Sequence, residues 1–451
     1  MFLYLNLIEL FYLIPNIIFT VLVITALYIF SNNVKKIYRN INLGISIDRN
    51  DNKKVRLIQM LRIAFGQSKM IDKPIVGILH IVVYVGFLVI NIELLEIIVD
   101  GVLGTHRVFA PYLGSFYNFL IGFFEIFALL VIISVVIFWI RRNLINIKRF
   151  LSAEMKGWPK NDGNIILYVE IILMFLFLTM NGADLWIQQN APELNYIKAG
   201  SFPVSQFMTP LFDGLSSNVV FLIERISWWF HIIGILCFLN YLYYSKHLHI
   251  LLAFPNTYFA NIEAKGKFSN LKSVTNEVKM MLDPSADPFA ASSNQEIAKF
   301  GASDVFDLNK IQLLNAYTCT ECGRCTSECP ANLTGKKLSP RKIMMDTRDR
   351  LEIVGKNLDK NNGKFISDGK ELLNDHITKE ELWACTSCNA CVEACPIGID
   401  PLSIIMDMRR YLVMEKSDAT MELNNMMSNI ENNGAPWPFN QMDKLNWKNE
   451  L

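Results

Sequence analysis

The sequence predicts an all-α fold: a bundle of five membrane-spanning helices followed by a soluble, all-helical domain. Three observations predict it. Apolar residues make up 52% of the 451-residue chain and charged ones only 19%, richer in hydrophobics than an ordinary soluble domain. Most of that excess lies before about residue 250, in five stretches near the roughly 20 residues that cross about 30 Å of hydrocarbon. Beyond them, two short cysteine runs, "CTECGRCTSECP" at 319–330 and "CTSCNACVEACP" at 385–396, are flanked by segments of helical period. The formal net charge of +1 gives no global field for a polyanion, and no nucleic-acid-binding motif is present, so nucleic acid is excluded as a partner.

The predicted spans cover about 6–30, 74–98, 116–140, 164–186 and 219–250. The first, "MFLYLNLIELFYLIPNIIF", has neither a basic start nor a small-residue cleavage pattern, and reads as a retained span. Lys and Arg concentrate in the loop from "NNVKKIYRN" to "QSKMIDK" and in "RRNLINIKRF" after the third span. The positive-inside rule puts both loops in the cytoplasm. The chain then reads as a multi-pass protein of the cell inner (cytoplasmic) membrane, with its N-terminus outside and everything after about 250 inside. The expected units are a membrane domain over 1–252, a polar connector over 253–300, a cysteine domain over 301–418 and an extended tail over 419–451 that could serve as a docking segment.

In the cysteine domain, "DVFDLNKIQLLNAYT" leads into the first run, and "SPRKIMMDTRDRLEIV" and "DPLSIIMDMRRYLVMEK" read as the helices that follow each run. Eight of nine cysteines lie in the runs; Cys237 stands alone in an apolar segment. Such clustering in a reducing compartment points to metal and away from a disulfide framework. Each run is CxxCxxCxxxCP, the ferredoxin-type spacing in which three close thiolates hold one [4Fe–4S] cluster and the fourth reaches the other. The crossing predicts Cys319, Cys322, Cys325 and Cys395 on one cluster and Cys385, Cys388, Cys391 and Cys329 on the second. Structural zinc is the alternative for four cysteines, weakened by the even triple spacing and the duplication.

Five histidines bear on the membrane half. His231 and His249 in the fifth span are 18 residues, or five full turns, apart, so a continuous helix puts them on one face about 27 Å apart. His80 enters the second span seven residues past Lys73, at the depth of His249. Two imidazoles at matched depth on different helices can ligate one haem b, and His80 with His249 is the expected pair. His247 points elsewhere on that helix and reads as an interfacial anchor or a substitute for His249. His231 is too deep to share that haem; it reads as a ligand of a second haem, for which His106 is the spare partner, as a structural residue, or as part of a quinone site. Among the acids Glu9, Glu93, Glu125, Glu170 and Glu224, the expectation is that Glu224 pairs with Arg225 and that Glu125 and Glu170 are the better proton carriers.

The residues "FGASDVFDLNKIQLLNAYTCTECGRCTSECP" and "WACTSCNACVEACPIGIDP" resemble the iron–sulfur part of the heterodisulfide reductase family, in its D-type form, over about 295–415. With 55 residues between Cys329 and Cys385, the resemblance implies the all-helical ferredoxin type found there and in the iron–sulfur subunit of succinate dehydrogenase. The membrane half, with its 18-residue histidine pair and "SKHLH" end, resembles the cytochrome b (gamma) subunit of respiratory nitrate reductase, which implies haem b and quinone. That family uses four histidines for two haems; here Ile90 stands where a second-span partner for His231 is expected. Disulfide-reducing relatives also carry CCG-type cysteine domains, and this sequence has none.

The resulting expectation is an electron-transfer subunit of a quinone-linked oxidoreductase. It would join the quinone pool, haem b and two [4Fe–4S] clusters to a cytoplasmic CCG-domain reductase subunit or a flavoprotein dehydrogenase. A self-contained disulfide reductase and a membrane protein with structural metal sites are the alternatives.

Overall fold

The computed structural model describes residues 2–145, 147–264, 266–283 and 299–449, with the side chains of 2–12, 273 and 444 outside that description. Glu9 therefore lies outside the described side chains.

Among the described residues, five helices are long and apolar enough to cross a membrane. They are α1 (Phe2–Ile41), α2 (Pro74–Leu103), α3 (Ser115–Asn143), α4 (Trp158–Asn190) and α5 (Ser217–Tyr241). Their local signals are conventional: α2 and α4 start with proline in the first turn, where a missing N–H costs nothing, and α3 ends on Arg141 and Arg142, favourable at a helix C-terminus. Large apolar side chains such as Ile75, Leu95, Phe119 and Phe230 point outward, more than half exposed, a belt that only lipid tolerates. Inside, small residues let helices approach closely. A Cβ at Gly86 would lie 2.5 Å from Val131 on α3, and one at Gly101 2.5 Å from Phe19 on α1.

Two spans differ from the sequence expectation. The first helix does not stop near 30 but runs to Ile41, because its polar end has no breaker and finds partners. Arg39 pairs with Asp359 and donates to the Gly355 carbonyl at 3.1 Å, and Asn40 donates to the Tyr317 hydroxyl at 2.8 Å. The fifth helix stops at Tyr241, and two 3₁₀ turns, Leu242–Tyr244 and Lys246–Leu248, separate it from α6 (His249–Phe259). Asp162 on α4 causes the break: it accepts from the Tyr241 hydroxyl at 2.6 Å, the Ser245 hydroxyl at 2.6 Å and the Lys246 N–H at 3.2 Å, holding Ser245 extended.

The cysteine domain is built on α7 (Lys310–Thr318), α8 (Pro340–Lys360) and α9 (Pro401–Met414), packed through Leu313, Ile343, Leu351, Ile404 and Met408. Each buried aliphatic contributes about 1.5–3 kcal/mol. Arg350, fully buried in this core, is neutralised by Asp304 and Asp368 at 2.8 and 2.5 Å. There is no strand among the described residues, only two isolated bridges, one joining Ile45 after α1 to Asn309 before α7. The tail is not wholly extended: Met421–Asn433 is a helix, capped by the Thr420 side chain and closed by Gly434 at φ 66°. The fold is thus all-α, a five-helix membrane bundle with the cysteine domain seated against one end.

Candidate functional site

The two cysteine runs share one backbone plan. Cys319 and Cys385 each follow a helix; two residues on, Glu321 (φ 56°) and Ser387 (φ 56°) are left-handed, and two further on so are Gly323 (φ 71°) and Asn389 (φ 60°). Short helices Arg324–Ser327 and Ala390–Ala394 follow, and each fourth cysteine precedes a proline. Two left-handed residues in four curl the chain so that three thiols face one space. Gly323 could not be otherwise, since a Cβ there would lie 2.5 Å from the Arg341 guanidinium.

The structure brings the eight thiols into two groups that cross between runs. Cys319, Cys322, Cys325 and Cys395 line one cavity, reached also by Cys391. Cys329 lies within electrostatic reach of Cys385 and Cys391, and Cys385 of Cys388. The four sulfurs of the first group open onto this shared space, and a cubane would bond each thiolate to a different iron. Burial pushes the Cys319 and Cys391 thiols up to about 12 and Cys395 to about 11, so these sulfurs need a cationic centre to ionise. Backbone N–H groups of Ser387 and Ile399 donate to the Cys385 and Cys395 sulfurs at 3.4 and 3.3 Å.

The two groups differ in surroundings. Beside the first lie cations from the loops between membrane helices: Arg149 is near Cys322, and Lys69 donates to the Cys395 carbonyl at 3.4 Å. Arg341, fully buried, donates to the Arg149 carbonyl at 2.7 Å. Beside the second, Arg409 donates to the Cys385 carbonyl at 2.5 Å, and Cys388 is exposed. The first group therefore faces the membrane bundle and the second faces water.

At the adjoining end of the bundle, three imidazoles gather. His247 is within electrostatic reach of both His80 and His249, and the His247 and His249 rings stand 5.5 Å apart at 90°. The structure thus gathers His247 with the two expected ligands, where the sequence offered it as an anchor or as a substitute for His249. The break at Ser245 cancels the five-turn helical argument and turns His247 inward, with Nε2 4.0 Å from Glu170. Burial drives His247 down to about 3 and lowers His249 too, so both rings are neutral with lone pairs available. His249 Nδ1 contacts the Lys246 carbonyl at 3.1 Å, the kind of bond that fixes the ring orientation of metal-binding histidines. His80 Nδ1 and the Tyr84 hydroxyl, one turn apart on α2, are buried without a hydrogen-bond partner among the described residues. Buried imidazoles beside polar atoms without partners have the donor chemistry that haem ligation would require.

His231 lies apart from this trio. Its Nδ1 contacts the Leu173 carbonyl at 3.0 Å, and it lines a separate membrane cavity. His106 instead faces Asp184 at 3.5 Å and packs against Tyr196 with the rings tilted by 49°. Glu224 pairs with Arg225, as expected, and accepts from Tyr196 at 3.0 Å. Glu125, expected as a proton carrier, is spent on structure: it accepts from the Val204 and Ser205 N–H groups at 2.9 and 3.1 Å and from Asn181 at 3.2 Å.

Sequence reasoning missed Lys246 and Glu321. Lys246 bonds Glu321, which sits inside the first cysteine run, and Glu321 is held from its other side by Arg348 at 2.8 Å. The acid between Cys319 and Cys322 was the signal available: a charge there needs a buried partner.

The 4Fe-4S dicluster domain family matches residues 318–399. The chain is 28% identical to the probable iron-sulfur-binding oxidoreductase FadF of Bacillus subtilis over 472 residues, 97% of this chain and 61% of that protein. It is 26% identical to the EtfAB:quinone oxidoreductase of Syntrophomonas wolfei over 429 residues, 90% of this chain and 55% of that protein. Over 148 residues, 32% of this chain and 35% of the other, it is 25% identical to one component of the dihydromethanophenazine:CoB--CoM heterodisulfide reductase of Methanosarcina mazei. The chain thus spans less than two thirds of the length of the first two relatives. No solved structure matches. These likenesses support two [4Fe–4S] clusters and an electron-transfer role.

Proposed function

We propose that this chain is the membrane-bound electron-transfer subunit of a quinone-linked oxidoreductase, joining the quinone pool through haem b and two [4Fe–4S] clusters to a soluble redox partner. The observation that carries the reading is that one residue bridges the two donor sets: the Lys246 carbonyl holds His249, and the Lys246 ammonium holds Glu321 in the first cysteine run.

Cys319, Cys322, Cys325 and Cys395 would hold one cluster, Cys329, Cys385, Cys388 and Cys391 the other, and His80 with His249 the haem, with His247 beside them. Bound there, these groups supply one-electron carriage, which suits splitting the two-electron chemistry of a quinone into single steps. The protein's residues do the rest. Lys69, Arg149 and Arg324 keep positive charge beside the inner cysteine group, which favours added negative charge there. The solvent-facing Cys388 side suits a docking partner. The Lys and Arg residues at the cysteine-domain end of the bundle, including Lys35 and Lys36 on α1 and Arg141 and Arg142 on α3, support a cytoplasmic placement of that domain and an outer N-terminus in the inner membrane. One relative is named for joining EtfAB to quinone, and that likeness makes a flavoprotein the first partner to test, ahead of a CCG-domain reductase subunit.

The test is anaerobic purification in detergent with metal analysis, visible and paramagnetic-resonance spectra, and identification of co-purifying proteins. The reading expects about eight irons in cubanes plus haem iron, and a reduced haem α-band. Zinc in place of iron, with no haem, would overturn it.

A further inference from the structure

We infer that the membrane cavity beside His231 is the quinone site and that Glu93 exchanges a proton with the quinone there. This rests on the reading of the chain as a quinone-linked carrier.

The cavity has a volume of about 90 Å³, well beyond what one water needs, and lies among α2, α3, α4 and α5. Its wall is mostly apolar, including Phe87, Ile90 and Phe177, and three ionisable side chains interrupt it: His231, Glu93 and Glu170. A quinone ring has that pattern, an apolar plate with an oxygen at each end.

Two of these groups are prepared for a ligand. His231 is 2% exposed, and its Nδ1 is taken by the Leu173 carbonyl, which leaves Nε2 as the ring's remaining polar atom. Glu93 is 4% exposed, and its Oε2 is buried with no hydrogen-bond partner among the described residues. A carboxyl so placed is costly unless a ligand completes it. Glu125 differs because its oxygens are saturated by backbone and side-chain donors, and it has none to offer a substrate.

Glu93 also begins a route out of the membrane. Its charged neighbours are Arg107, Glu96, Glu125 and Asp184. Glu96, one turn along the same helix face, accepts from the Tyr117 hydroxyl at 2.7 Å; Arg107 donates to that hydroxyl at 3.0 Å and to Asp184 at 2.7 Å. Asp184 faces the partly exposed His106 at 3.5 Å, at the end of the bundle away from the cysteine domain. Quinone reduction consumes two electrons, which bound iron centres would supply singly, and two protons. As each quinol O–H forms, its proton leaves the Glu93 carboxyl, which is reprotonated along this route before the second transfer; oxidation of quinol runs the protons back the same way.

The test uses the intact holoprotein in detergent, reduced by dithionite and mixed with 2-methyl-1,4-naphthoquinone, with reoxidation followed in the haem band. Glu93→Gln, which keeps the shape but removes the proton, should slow reoxidation about 100-fold while haem and cluster spectra stay unchanged. His231→Gln should weaken quinone binding, read by tryptophan quenching, about tenfold without loss of haem. Both variants reacting like the parent would overturn the placement alone, and loss of a haem in His231→Gln would assign the cavity to a second haem instead. If the parent protein itself carries haem and clusters yet ignores the quinone, the failure lies in the functional reading.

Discussion

Lys246 and Glu321 form an ion pair that joins the 3₁₀ turn beyond the fifth membrane helix to the first cysteine run. Both are buried, with side chains 10% and 2% exposed, and Glu321 holds a left-handed backbone that its position in the loop demands. Removing Lys246 takes one of the two cations that hold Glu321 and leaves Arg348 on the other side. Lys246→Met should therefore destabilise the seating of the cysteine domain by about 2 kcal/mol, the loss of one hydrogen bond to a charged group. Limited proteolysis would measure it, and unchanged protection would deny the pair this role.

The cysteine groups make a crossed prediction. Cys395→Ser, in the second run, should cost the cluster built on the first run, and Cys329→Ser the reverse. Each should reduce cluster iron by about half, leaving different residual paramagnetic-resonance signals. If both variants leave the same signal, the crossing is wrong.

His80, His247 and His249 stand together, so single substitutions rank them. His80→Ala and His249→Ala should remove most haem absorbance with cluster signals intact, whereas His247→Ala should retain it and alter the band shape. Haem loss in His247→Ala with retention in His249→Ala would exchange their roles.

Acid should loosen the two halves. Glu154, in the loop between α3 and α4, accepts from Arg341 at 2.7 Å and from Ser339 at 2.8 Å. Burial alone would raise its pKa, but these bonds prevail and hold it below the ordinary 4.5. A lowered folded pKa means stability that is present above 4.5 and lost as pH falls through the folded value. Thermal denaturation scanned from neutral pH downward should show this contact failing below about pH 4.5, and Glu154→Gln should flatten that part of the profile.

The spans and the cysteine pattern were legible because hydropathy and thiol spacing are local properties. The break in the fifth span was not. Nothing in "CFLNYLYYSKHLHI" marks a stop, and the cause, Asp162, lies 79 residues before Tyr241 on another helix. That break reverses the reading of His247, from anchor to member of the histidine trio. The acids misled for the same reason. Glu93 and Glu125 look alike in sequence, yet Asn181 and the loop over 202–212, folded into the bundle, supply Glu125 with partners, whereas Glu93 Oε2 has none among the described residues.

Cys388 is the one cysteine of the two runs that lies exposed. The feature that opens the wire to a partner also opens it to dissolved oxygen and chelators, so damage in air would begin at this corner and spread inward. The working lifetime of the chain would then depend on how continuously another protein shades a single sulfur.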